Sequence, residues 1–184
     1  MAVRLARDRR PMASIWHLRT QDFSVIQTAL SITSDFDSGN IVVLDASHPQ
    51  NVQLAIRPDT RSPHFQWFHF KVGGMQPGQR HAFSLSNASE SSYNRAWTGY
   101  NAAASYDQKT WFRVPSHFDG KALNFSLSPE QPQIWFAYFE PYSRERHDWL
   151  IDQALNKAGT ELLATGKSVE GRDIPLLRKG DGAE

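Results

Sequence analysis

From Leu30 onward, apolar and polar positions mostly alternate with a period of two over short runs, the pattern of strands with one buried face. Val52, Leu54 and Ile56 alternate with Gln53, Ala55 and Arg57. Phe68, Phe70 and Val72 alternate with Trp67, His69 and Lys71 within Gln66–Val72, and His81, Phe83 and Leu85 with Ala82, Ser84 and Ser86. Leu123, Phe125 and Leu127 do the same, Ile41–Ala46 and Thr110–Val114 are shorter strand candidates, and Gln133–Phe139 closes the series. Many short strands separated by Gly, Pro, Asn and Ser predict an antiparallel β-sandwich. Between them, Asn87–Ser105 lacks alternation, which makes this long loop, with Trp97 in it, a candidate contact surface.

The pattern changes at Pro141, which has no N–H to give a sheet and pushes Glu140 toward an extended conformation. Ser143 is placed to cap a new helix, and Glu145 sits where the helix dipole favours an acid. Leu150, Ala154 and Ala158 recur every four residues, with Ile151 and Leu155 beside them, and Gly159 is a candidate left-handed stop. Glu161–Thr165 and Asp173–Arg178 then read as a hairpin turning through GKSVEG, with Gly166 and Gly171 at its corners. Two strands alone are marginal in water, so this hairpin needs a sheet to join. The expected organisation is a basic leader over 1–28, a β-sandwich over 29–142, and a helix plus terminal hairpin over 143–184.

Composition narrows the picture. A chain of 184 residues with 40% hydrophobic and 12% aromatic content can bury a sizeable core. A formal net charge of +1 argues against nucleic acid or anionic membrane as partners. The absence of cysteine excludes disulfides and thiolate metal sites, and the longest apolar run, Ile134–Phe139, is too short to span a bilayer. The leader holds Arg4, Arg7, Arg9, Arg10 and Arg19 against Asp8 and Asp22, so a presequence or a dispensable disordered extension both fit.

Recognisable catalytic chemistry is scarce. The seven histidines show no His-x-x-x-His, His-x-x-Glu or Glu-x-x-His spacing. Asp35, Asp37 and Asn40 in TSDFDSGN fit a turn better than a calcium loop, with Gly39 free to take a positive φ. No Gly-x-Ser-x-Gly occurs, and the Gly-Lys-Ser of TGKS lacks the earlier glycine of a phosphate loop. Arg144, Glu145, Arg146, His147 and Asp148 make a charged helix start that is either a solvated face or the edge of a groove. Trp67, Trp97 and Trp135 leave a second possibility open: a free-standing sandwich that binds a glycan or peptide on exposed indoles.

Five segments in order carry a resemblance: SDFDSGNI at Ser34–Ile41, WFHFKV at Trp67–Val72, SYDQKTWFRVP at Ser105–Pro115, AYFEPYSRERHDWL at Ala137–Leu150 and GKSVEGRDIPLL at Gly166–Leu177. Together they resemble the front end of cytosolic carboxypeptidases, zinc metallocarboxypeptidases related to carboxypeptidase A, and most closely the bacterial members. The resemblance implies an N-terminal antiparallel sandwich before an α/β catalytic domain whose sheet starts at GKSVEGRDIPLL. It also implies a cytoplasmic hydrolase of peptide or protein C-termini, in which a zinc-bound water attacks the last peptide bond. The family's zinc ligands, carboxylate-binding arginine and general base fall beyond the stretch present here, so no catalytic or metal residue transfers to this sequence. The expectation is an accessory piece with zinc implied only for the complete enzyme, inactive alone, whose partner is the catalytic domain. Tyr142, Arg144, Arg146 and Trp97 are the candidate interface or groove-edge residues.

Overall fold

The computed structural model describes residues 29–180; the leader expected over 1–28 lies outside them. Two five-stranded sheets face each other. The first is ordered β1-β4-β10-β6-β7, from Ser31–Thr33, His69–Gly73, Gln133–Ala137, Ala102–Ser105 and Phe112–Val114. The second is β2-β3-β5-β9-β8, from Val42–Asp45, Val52–Ala55, His81–Leu85, Leu123–Leu127 and Ser116–Phe118. Helix α1 (Arg144–Leu155) and the hairpin β11 (Thr160–Lys167) and β12 (Asp173–Lys179) follow. The predicted β-sandwich, single helix and terminal hairpin are all present.

Alternation decides which side chains enter the core. Phe70 lies opposite Phe136, and Val72 opposite Ile134, on the inner face of the first sheet. Phe83 pairs with Phe125 on the second, and both rings reach Phe136 across the gap at 5.0 and 5.2 Å between centroids. Phe68, Phe70, Phe83 and Phe136 are fully or almost fully buried, each worth roughly 1.5–3 kcal/mol of transfer free energy.

Pairing is antiparallel with one exception, since β3 and β5 run parallel. The chain leaves the second sheet after β3, crosses through β4 of the first and returns as β5, so strands two steps apart point the same way. Asn87 secures this return: its side chain accepts from Ile56 N–H at 2.9 Å and donates to Ile56 C=O at 2.9 Å.

Four local expectations need correction. Asn87–Ser105 is not an open loop: it forms two short 3₁₀ turns, Ala88–Glu90 and Asn94–Trp97, and then the fully buried strand β6. Three alanines and a serine carry no alternation, yet their small side chains suit a strand flanked on both faces. In the turn before β2, the positive φ falls on Ser38 (63°). Gly39 is needed for closeness, because a Cβ there would lie 2.1 Å from Ser34 C=O. Helix α1 stops at Leu155 with Asn156 as its C-cap, and Gly159 takes the expected left-handed conformation (φ 75°) but four residues beyond the helix end, where the chain turns into β11. The hairpin turns at Ser168–Arg172 with Gly171 at φ 80°, whereas Gly166 lies inside β11 opposite Ile174.

Candidate functional site

The outer face of the first sheet carries the charged and polar chemistry. The parity that sends Phe68, Phe70 and Val72 inward turns Trp67, His69 and Lys71 outward, and Trp135 lies beside Lys71 on β10. The turn at Phe36–Ser38, the loop Asp107–Trp111 and the junction Glu140–Arg146 rise around them. Together they enclose a cleft of about 780 Å³.

His69 forms much of its floor and is only 2% exposed. Its Nδ1 lies 3.0 Å from Ser38 Oγ, and its ring meets Phe36 and Trp111 edge to face. Burial among aromatic rings disfavours the imidazolium and lowers the His69 pKa to about 4, while the Asp37 carboxylate opposes the shift. The imidazole is therefore neutral near pH 7. His69 Nε2 and Trp111 Nε1 are buried without a hydrogen-bond partner among the described residues. Lys71 rests its ammonium 4.7 Å from the centre of the Trp135 ring, a cation–π arrangement. Asp107, on the opposite wall, accepts from Lys109 and Thr110 backbone N–H, which holds its pKa down at about 2.

The junction after the last sandwich strand is built as its sequence suggests. The last strand ends at Ala137, four residues before Pro141, and Ser143 Oγ accepts from Arg146 N–H. Asp37, 107 positions away, accepts from Arg144 N–H at 2.9 Å and so satisfies another free amide of the first helical turn. Its other oxygen meets Arg172 of the hairpin at 2.6 Å. The Arg172 guanidinium is the main cause of an Asp37 pKa below the ordinary value, with the Arg144 amide adding to it.

Three of the four candidate residues gather at this junction. Arg146 lines the cleft and binds Glu140 at 2.6 Å. Arg144 pairs with Asp148 at 2.8 Å, and the exposed Tyr142 ring lies against His147 and Arg146. Arg144 and Tyr142 line a neighbouring depression with Asp37, Glu170 and Arg172. Trp97 is the correction. It is completely buried, packs on Phe68, Tyr100 and Tyr138, and donates to Ala88 C=O and Ser91 Oγ at 2.9 and 2.8 Å. A tryptophan whose apolar ring and N–H are both satisfied internally has nothing to offer a groove. Trp97 therefore does not join Trp67 and Trp135 in one exposed groove: Trp67 donates to Ser38 C=O beside another depression, and Trp135 is buried at 9% exposure.

Sequence reasoning missed His69, Trp111, Lys71 and Asp37 as a group. The only available signal was strand parity, which separated Trp67, His69 and Lys71 from the core face without showing what covered them. Among the described residues, no group of three or more His, Cys, Asp or Glu side chains is arranged to hold a metal ion. No described helix is long and apolar enough to cross a membrane.

Comparison with known proteins identifies the architecture. Residues 32–139 match the cytosolic carboxypeptidase N-terminal domain. The chain belongs to this carboxypeptidase family. A solved metallo-carboxypeptidase from Pseudomonas aeruginosa is 58% identical with a TM-score of 0.78, over 82% of this chain and 41% of that one. A protein of Zymomonas mobilis is 36% identical over 83% of this chain and 40% of its own length. Human cytosolic carboxypeptidase 6 is 28% identical over 77% of this chain and 31% of its own length. This carboxypeptidase-family chain thus spans about two fifths or less of the relatives it matches. The matched 32–139 interval takes in nearly all of the two sheets, from Ile32 to Ala137, and the cleft opens on one of their outer faces.

Proposed function

We propose that this chain is the accessory sandwich of a zinc-dependent metallocarboxypeptidase, together with the helix and hairpin that open its catalytic domain. The observation that carries this reading is the uncovered apolar surface after Pro141. Trp149 is 64% exposed, and Leu150, Leu155, Leu162, Leu163, Ile174 and Leu176 are exposed with it on α1 and on a two-stranded sheet that, among the described residues, pairs with no other strand. An apolar surface of this kind marks a site of association, and an isolated hairpin gains stability by joining a sheet. Catalytic domains of the relatives' kind supply that sheet. On this reading the sandwich braces the catalytic domain and its cleft frames one edge of the substrate groove, with Arg146, Arg144 and Tyr142 along the junction.

On this reading the metal and the hydrolytic step belong to the catalytic domain, and this chain alone is inactive. When bound there, zinc supplies a Lewis acid and an acidified water for attack on the C-terminal peptide bond. The contribution of this chain is to hold and orient, through the cleft walls and the junction, in a cytoplasmic enzyme acting on peptide or protein C-termini.

The test is co-expression with the catalytic portion of the Pseudomonas aeruginosa relative. A stable complex that releases C-terminal residues in the presence of zinc, with neither piece active alone, is the expected result. Zinc-dependent release by the 184-residue chain alone, or full activity of the catalytic portion without it, overturns the reading.

A further inference from the structure

The way the hairpin is attached to the sandwich points to a specific role for Asp37. Among the described residues, the Asp37–Arg172 ion pair is the one hydrogen bond or ion pair that joins the hairpin to the sandwich. The same carboxylate receives the first amide of α1. One side chain thus touches all three parts of the molecule, giving one carboxylate oxygen to the Arg144 amide and the other to the Arg172 guanidinium in charge-assisted bonds.

The turn that presents Asp37 is held from below by two outward side chains of the first sheet. Trp67 Nε1 donates to Ser38 C=O at 2.7 Å, and His69 Nδ1 lies 3.0 Å from Ser38 Oγ. Gly39 N–H closes the turn on Phe36 C=O at 2.9 Å, and the close approach of Gly39 to Ser34 leaves no space for a side chain. The chain of support therefore runs from β4 and the segment leading into it, through His69 and Trp67, to the turn, then through Asp37 to Arg144 and Arg172. The apolar side chains of the hairpin do not perform this task, because Leu162, Leu163, Ile174 and Leu176 remain exposed.

We propose that Asp37 is a positioning residue that sets the stance of the hairpin on the sandwich. On the carboxypeptidase reading above, on which this meaning rests, it thereby orients the catalytic sheet that starts with that hairpin relative to the cleft. Its partners are Arg172 and the Arg144 amide; Asp59, His147 and Glu170 line the same depression without bonding to it.

The chain has no cysteine, so Lys121→Cys on the sandwich and Thr165→Cys on the hairpin provide two unique sites for spin labels. Pulsed electron paramagnetic resonance then reads the distance between the two parts. A single narrow distribution is expected for the otherwise unaltered chain. Asp37→Ala and Arg172→Met are each expected to lose it while the near-ultraviolet circular dichroism of the sandwich stays unchanged, and Arg172→Lys is expected to retain it. A narrow distribution that survives Arg172→Met overturns the proposal. Arg172 lies in the hairpin and outside the core, so this variant decides even if Asp37→Ala fails to fold. No part of the test uses zinc or catalysis, so its failure and that of the carboxypeptidase reading are distinguishable.

Discussion

Acidification from about pH 7 to about pH 4.5 should cost this protein about 2–3 kcal/mol through His69 alone. Burial beside Phe36, Trp67 and Trp111 lowers the pKa of the native imidazole to about 4 from the ordinary value of 6.5. Between those two values the unfolded chain binds a proton that the folded chain refuses, so stability falls as the pH falls through this window. Each pKa unit corresponds to about 1.4 kcal/mol, which gives about 1.4 kcal/mol lost by pH 5.5 and about 2.6 by pH 4.5. The charged residues that line the same cleft are Asp37, Lys71, Asp107, Lys109, Glu140, Glu145 and Arg146. Asp37 and Asp107 have lowered pKa values, so their contribution is lost only at more acid pH than the His69 window. Urea unfolding of the wild type and of His69→Phe at several pH values isolates the effect. The variant is less stable near neutrality for want of the Ser38 contact, but its slope between about pH 6.5 and pH 4.5 is flatter by about 2–3 kcal/mol in total. Equal slopes in the two proteins, or a nuclear magnetic resonance titration that places His69 near its ordinary pKa, would refute the reasoning.

Three further outcomes follow from the packing. Trp97→Ala removes a wholly buried indole and should cost about 3–5 kcal/mol in urea unfolding; a loss under about 1 kcal/mol would mean the ring is not in the core. Asn87→Ala leaves both backbone groups of Ile56 without their partner and should cost about 1–3 kcal/mol by the same measurement. The Arg146–Glu140 pair has both side chains more than half exposed, so a double-mutant cycle should return no more than about 1 kcal/mol. A larger value would show a structural role for Arg146 at the cleft edge.

The parts legible in the sequence are those encoded by near neighbours. Period-two alternation located strands containing Val52–Ala55, His81–Leu85, Leu123–Leu127 and Gln133–Ala137, because a half-buried strand repeats its burial every second residue. Ser143 marked the helix start for an equally local reason, a side-chain acceptor for a free amide of the first turn. Strand Ala102–Ser105 was hidden because both of its faces are buried and its alanines carry no pattern. Trp97 was placed in a contact surface because nothing near it in the chain reveals Phe68 and Tyr138, the rings that enclose it.

The sequence by itself thus determined the β-sandwich, the start of the helix after Ser143 and, through five ordered motifs, the carboxypeptidase family. Only the tertiary structure decided that β3 and β5 run parallel, that His69 is buried and neutral, and that Asp37 meets both Arg144 and Arg172. These are relations between residues 107 and 135 positions apart in the last case. Local periodicity carries which way a side chain points, whereas what it meets depends on the register and crossing of strands that the chain brings together only on folding.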